Sequence, residues 1–156
     1  MYQDLLDKAL SEKKRIKKKI SKLKRTKPKL IDNAIHGLHE QVFQEIDCLQ
    51  CANCCKTTSP IFRDIDIERA AGHLGISPSV FLEKYLQLDE EGDYVLQSSP
   101  CAFLGEDNFC SIYEHRPRAC REYPHTDRKN MHQILDLTER NSRICPGVYR
   151  ILDQLP

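Results

Sequence analysis

Residues 48–55 read Cys48-Leu49-Gln50-Cys51-Ala52-Asn53-Cys54-Cys55, four thiols within eight positions, and they decide how the rest of the chain is read. A Cys-x-x-Cys step lets two sulfurs converge on one ion, because the short backbone between them curls and turns its amides toward the thiolates. Cys48, Cys51 and Cys54 chain two such steps together. Their spacing matches the opening of a ferredoxin-type run, in which three near thiolates and a remote cysteine followed by proline hold a cluster. Cys145-Pro146 has the form of that remote partner. Zinc competes, since four thiolates at about 2.3 Å satisfy its tetrahedral preference in any chain order. The second half of the chain lacks a separate Cys-x-x-Cys pair, which favours iron. Cys48, Cys51, Cys54 and Cys145 are therefore the expected ligands of an iron–sulfur cluster of the 4Fe–4S kind or of zinc.

Adjacent side chains diverge in a regular backbone, so Cys54 and Cys55 are not both expected to reach one metal. One of them is left as a second-site ligand, a redox-active thiol or a small buried residue. Cys101, Cys110, Cys120 and Cys145 form a second group of four, and Cys55, Cys101, Cys110 and Cys120 are the alternative or second-site ligands. One mixed site and a four-plus-four division satisfy the count equally. Cys120 lies between Arg118 and Arg121, whose charges favour its thiolate where they stand close in space, surface ion pairs being the equal alternative. Arg116, Arg121 and Tyr123 are read as ordering the site, and His115 and His125 as surface or supporting residues rather than ligands.

With 156 residues, 40% hydrophobic and 30% charged, the chain has the size and balance of an ordinary globular domain that buries a core without crosslinks. No apolar run approaches the roughly 20 residues that span a bilayer. The first residues alternate apolar with basic side chains rather than forming a secretory signal, so a reducing, cytoplasmic setting is expected. There eight thiols point to metal ligation and not to four disulfides.

The net charge of +1 hides an asymmetry: residues 1–30 carry 12 Lys/Arg against 3 Asp/Glu, and residues 31–156 carry 12 against 20. In the basic stretch, Tyr2, Leu6, Ala9, Lys13, Ile16, Ile20 and Leu23 recur at steps of four and three, which predicts one long amphipathic helix ended by Pro28. An arm over residues 1–28 and a metal-binding domain over residues 29–156 are the expected divisions. The basic face reads first as a solvated surface whose apolar stripe packs on the acidic body, ahead of contact with nucleic acid or an anionic membrane. The stripe also has the form of a short coiled-coil seam, which allows self-association. An unidentified protein partner and an undetermined oligomeric state complete that reading.

Residues 29–46 predict a second helix with Leu30, Ile31, Ala34, Ile35, Leu38, Val42 and Ile46 facing the core. Asp64 is the expected cap of a helix ending near Gly72 or Gly75, and Ser77-Pro78 opens another through about Leu86. Residues 93–97 and 101–113 predict a hairpin around Gly105-Glu106-Asp107-Asn108 with Cys101 and Cys110 on opposite sides of the turn. Residues 116–122 and 128–140 predict helices, and Pro146 opens a last one with Val148, Ile151, Leu152 and Leu155 inward. The expected fold is mainly α with a small β-hairpin, a compact cysteine-rich domain preceded by a long basic helix. No Walker loop, dinucleotide-binding glycine pattern or His-Glu-x-x-His motif is present, so no catalytic residue is assigned.

Four ordered motifs carry a resemblance. They are Cys48 to Cys55; Pro100-Cys101-Ala102-Phe103-Leu104; Cys110-Ser111-Ile112-Tyr113-Glu114-His115-Arg116-Pro117; and Cys120-Arg121-Glu122-Tyr123-Pro124 with the late Cys145. Over about residues 47–147 these resemble the YkgJ-like cysteine-cluster family, described as zinc- or iron-chelating and defined by Cys-x-x-Cys-x-x-Cys-Cys. That family often has glycine where this chain has Ala52. The resemblance implies a metal-chelating module. It also brings relatives labelled iron–sulfur oxidoreductases and a flagellin lysine methylase similar in its cysteine region. Three classes follow: a metal centre for structure or electron transfer, an oxidoreductase- or methylase-related enzyme, and a zinc-stabilised interaction module.

Overall fold

A computed structural model describes residues 2–156, and it is 61% helical with one two-stranded antiparallel sheet. The mainly α fold with a small hairpin is as expected. In chain order the α-helices are α1 (Gln3–Ser11), α2 (Lys13–Leu23), α3 (Pro28–Glu45), α4 (Cys48–Cys51), α5 (Asn53–Thr57), α6 (Asp64–Leu74) and α7 (Pro78–Tyr85). Strands β1 (Leu86–Leu88) and β2 (Tyr94–Leu96) follow, then α8 (Arg118–Glu122), α9 (Leu135–Asn141) and α10 (Pro146–Gln154). Short 3-10 turns occupy Tyr113–His115 and Met131–Ile134. The chain divides into two compact units, one of residues up to Cys51 with Pro124–Pro156, the other Ala52–Tyr123.

The first unit is built around α10, whose Val148, Ile151 and Leu152 are fully buried and which packs on α1, α2, α3 and α9. The inward residues expected for this helix are all buried, Leu155 included. From α3 the buried face is Ile31, Ile35, Val42 and Ile46, one side of the helix at steps of four, seven and four. Leu30 and Ala34, expected inward, are exposed because they lie one position round the helix from that stripe.

The basic stretch is two helices rather than one, because Glu12 leaves helical geometry at φ −97 and ψ 13. The Tyr149 hydroxyl donates to the Glu12 carboxylate at 2.6 Å, holding the break against α10. Leu6, Ala9, Ile16 and Ile20 are buried. The boundary expected at residue 28 thus falls inside this unit, since α1 and α2 pack on α9 and α10. Helices this short are marginal alone. Burying three large aliphatic side chains contributes about 1.5–3 kcal/mol each, whereas exposed ion pairs contribute about 0–1 kcal/mol each, so the apolar stripe dominates the docking. The ion pairs set its register: Arg15 bonds Asp153 at 2.5 Å, Lys19 donates to the Leu155 carbonyl at 2.6 Å, and Lys24 reaches Asp136 at 2.7 Å.

Residues 128–140 begin as a 3-10 turn instead of α-helix. The Asp32 carboxylate of α3 accepts the amides of Asn130 and Met131 at 3.0 and 2.9 Å, which fixes Asn130 at a left-handed φ of 60 and delays the helix to Leu135.

In the second unit α6, α7, the hairpin and the Phe103 turn close over Phe62, Ile67, Ala70, Ala71, Phe81, Leu86, Leu96, Phe103 and Ile112. Ser77 caps α7 as expected, its Oγ accepting the Val80 amide at 3.3 Å. The first helical residue of α6 is Asp64; the cap position is Arg63, whose amide donates to Asp66 at 3.0 Å, so Asp66 and not Asp64 closes this end. Gly75, at φ 70, ends α6 in the left-handed form that glycine tolerates.

The hairpin lies earlier than expected. β2 pairs with β1 in the register Leu86–Leu96, Gln87–Val95 and Leu88–Tyr94, and Asp89 shapes the turn by accepting the amides of Glu91 and Asp93, each at 2.9 Å. Residues 101–113 instead form consecutive turns with a single bridge, Leu104 to Cys110, across Gly105–Asn108.

Candidate metal centre

The cysteines divide between the units. Cys48, Cys51 and Cys145 lie in the first, and Cys54, Cys55, Cys101, Cys110 and Cys120 in the second. None of the eight is joined in a disulfide. The quartet favoured from spacing, Cys48, Cys51, Cys54 and Cys145, does not fall within one unit. Between α4 and α5 Ala52 adopts φ 48 and ψ 14, a left-handed step. Glycine occupies such a step at the least cost.

In the second unit the backbone gathers four thiol-bearing positions. The Cys101 amide donates to the Cys55 carbonyl at 2.8 Å, setting these two residues side by side. The Leu104 amide donates to the Cys101 carbonyl at 3.1 Å, and Leu104 bridges to Cys110. Phe103, between them, is anchored in the core, stacked on Phe81 with centroids 5.9 Å apart and tilted on Tyr85 at 4.8 Å. Cys120 enters from α8, which begins after Pro117. Asp66 of α6 accepts the Arg118 amide at 3.2 Å, and Arg69 donates to the Arg116 carbonyl at 2.9 Å. The helix carrying Cys120 is therefore clasped by an aspartate that sequence reading overlooked.

These thiols act on one another electrostatically. Burial pushes Cys120 up to about 12, and the negative charges of Cys55, Cys101 and Cys110 push the same way. Burial likewise raises Cys101 and Cys110, each further raised by Cys55. Cys55 alone is lowered, to about 7, by a hydrogen bond from Cys54 that outweighs its burial, with help from the Arg116 charge. Arg116 also lowers Cys110 and Cys120. It is held by Tyr113: the guanidinium sits 3.8 Å from the ring centroid and Nε donates to the Tyr113 carbonyl at 2.8 Å. Arg118 and Arg121 are engaged away from Cys120. Arg118 donates to Glu122 at 2.5 Å, and Arg121 turns toward the Arg116 carbonyl at 3.5 Å. His115 stacks on His73 with centroids 4.3 Å apart.

In the first unit Cys145 is buried at the cap position of α10, where burial raises it to about 12 and the charges of Cys48 and Cys51 add to the rise. The backbone amides of Val148 and Gly147 act against that rise. Gly147 allows this turn to lie against α3, since a Cβ there would stand 2.4 Å from Phe43 Cζ.

The backbone amides of Phe103 and Leu104 likewise act against the rise at Cys101, and that of Ile112 against the rise at Cys110. Donors of this kind favour the thiolate, the form that ligates metal. Among the described residues no group of three or more His, Cys, Asp or Glu side chains stands where it could hold a metal ion. Burial and mutual repulsion disfavour thiolates here, and a thiophilic cation would reverse both by deprotonating its ligands.

The short helices and turns that carry these eight cysteines have the makings of a thiol-based chelator, and family membership agrees. The chain belongs to the CxxCxxCC family, described as "putative zinc- or iron-chelating domain", whose pattern matches residues 47–146. Comparison with curated proteins and with solved structures gave no significant match. No helix among the described residues is long and apolar enough to cross a membrane.

Proposed function

We propose that the protein holds a zinc ion or an iron–sulfur cluster through its cysteine thiolates, in a reducing compartment, as a structural or electron-transfer centre. The cysteine-rich segment that matches a chelating domain, with Cys55, Cys101 and Cys110 on turns bonded to one another, carries this reading. Bound zinc supplies a redox-silent crosslink between turns; a bound cluster supplies one-electron chemistry. The chain's part is to position sulfur, exclude water from Cys145 and place the Arg116 cation beside the thiolates of Cys55, Cys110 and Cys120.

The test is anaerobic purification of the whole chain followed by metal and acid-labile sulfide analysis. Iron with comparable sulfide and a visible absorbance bleached by dithionite identifies a cluster, and zinc without colour identifies the ion. Preparations that contain neither metal above a small fraction of the chain concentration refute the proposal.

A further inference from the structure

We infer that the outward face of α2 is a docking surface for duplex nucleic acid, held through its phosphates by Lys14, Lys17, Lys18, Lys22 and Arg25 without any reading of bases. The inference is independent of metal binding, and neither requires the other.

The placement of the cations carries it, and every residue concerned lies in the first unit. Ile16 and Ile20 are the buried residues of α2, which packs on α9 and α10. Lys14, Lys18 and Arg25 recur at steps of four and seven on the opposite side, Lys17 and Lys22 flank them, and all five are exposed. Their neighbours are occupied by the body of the unit. Arg15 pairs with Glu12 and Asp153, Lys19 donates to the carbonyls of Asp153 and Leu155, and Lys24 pairs with Asp136. Among the described residues the outward five make no ion pair.

A helix face that meets only water usually interleaves both signs of charge at steps of three and four. The segment Lys13–Leu23 has no acidic residue, and Lys14–Lys18 and Lys18–Lys22 set like charges four positions apart. Lysines also fill its first turn, where the helix dipole favours carboxylates. A polyanion relieves all of this repulsion. The row from Lys14 to Arg25 runs about 16 Å, and phosphates follow one strand of a duplex about every 3.4 Å, so five cations meet about five phosphates. An anionic membrane is the poorer match, because a surface helix inserts its apolar side, and Ile16 and Ile20 are already buried in the core. Single strands are held by stacking their bases on aromatic rings, and Lys13–Leu23 has none.

The test is fluorescence anisotropy with the whole chain and a labelled, mixed-sequence DNA duplex of about 20 base pairs, titrated at salt from about 50 to about 200 mM. Neutralising five phosphates gives a slope of about −4.5 in log affinity against log salt, hence about 500-fold weaker binding across that range. Lys14→Gln/Lys17→Gln/Lys18→Gln/Lys22→Gln should flatten the slope to about −1 and abolish the tight binding at low salt, and Lys14→Gln/Lys18→Gln should leave it at about −2.7. Lys14→Arg/Lys17→Arg/Lys18→Arg/Lys22→Arg keeps the charges and should bind as wild type does. Far-UV circular dichroism checks the fold, which glutamine and arginine favour about as well as lysine in a helix. The two-site variant decides where four changes disturb folding. A dissociation constant above about 100 µM at the lowest salt overturns the inference, as does an unchanged slope in a folded variant. So does a single strand bound as tightly as the duplex, or phosphatidylserine vesicles bound in preference to it. None of these outcomes touches metal content, which is measured on its own.

Discussion

Replacing Asp66 by asparagine tests the clasp that positions Cys120. The Asp66 carboxylate is fully buried. Its Oδ2 accepts the Arg63 amide and Nε, both at 3.0 Å, and its Oδ1 accepts from Arg63 Nη2 at 3.1 Å, from Arg69 at 3.0 Å and from the Arg118 amide at 3.2 Å. Asparagine keeps the size and one acceptor but sets an NH2 group against the Arg63 amide and Nε. Losing two bonds to a charged acceptor costs about 1.5–3 kcal/mol each. Arg63, 43% exposed, regains water, which returns part of that. The expected net loss is about 3 kcal/mol, a large share of the roughly 5–15 kcal/mol of a typical domain.

The assay is equilibrium urea unfolding followed by far-UV circular dichroism, because the chain has no tryptophan for fluorescence. Acid supplies an internal control. Burial pushes the Asp66 carboxyl up, but the hydrogen bonds from Arg63 and Arg118 and the Arg63 charge outweigh it and hold it below its ordinary 3.8. A depressed carboxyl contributes its full stability above the ordinary value and loses it as pH falls through the folded one. The gap between wild type and Asp66→Asn should therefore be constant from pH 7 to about 5 and close below about 3.8. A loss under about 1 kcal/mol at pH 7, or a gap that persists in strong acid, refutes the reasoning.

Four further outcomes are expected. Gly147→Ala forces a methyl to within 2.4 Å of Phe43 Cζ and should cost about 1–3 kcal/mol in urea unfolding; an unchanged midpoint would show that the ring yields freely. Ala52→Gly relieves a left-handed φ of 48 and should gain about 0.5–1 kcal/mol after the entropy of glycine is counted, read as a raised urea midpoint. Ser77→Ala removes the bond to the Val80 amide and should cost about 1 kcal/mol, with faster hydrogen exchange confined to the first turn of α7. Stripping the metal with a chelator should speed amide exchange around Cys101, Cys110 and Cys120 several-fold, and unaltered exchange there would argue that no centre ties these turns.

What was legible in the sequence was mostly periodic or punctuated. The α10 stripe of Val148, Ile151, Leu152 and Leu155, the Ser77-Pro78 opening and the two-sided character of α3 follow from spacing and capping chemistry, and the structure bears them out. Misreadings cluster where a side chain distant in sequence overrides a local preference. Tyr149, 137 positions from Glu12, holds the break between α1 and α2. Asp32 reshapes the start of α9 from 98 positions away. The hairpin was misplaced because Leu86-Gln87-Leu88 continues the apolar pattern of α7, while the Asp89 turn lacks the usual Asn-Gly or Asp-Gly pair.

The cysteine positions were legible, but the left-handed step at Ala52 between α4 and α5 was not. The family's glycine at that position was the one available signal. Asp66 carried a faint signal too, following Arg63 by three residues at the head of an apolar run, the interval of a capping box.

Cys145 begins the same nine-residue helix whose Tyr149 and Asp153 grip the amino-terminal helices. Traction on that one sulfur is thus transmitted along a stiff rod to Glu12 and Arg15. A change that shifts α10 is therefore felt at Glu12 and Arg15 together, where the lysine-rich stretch is held.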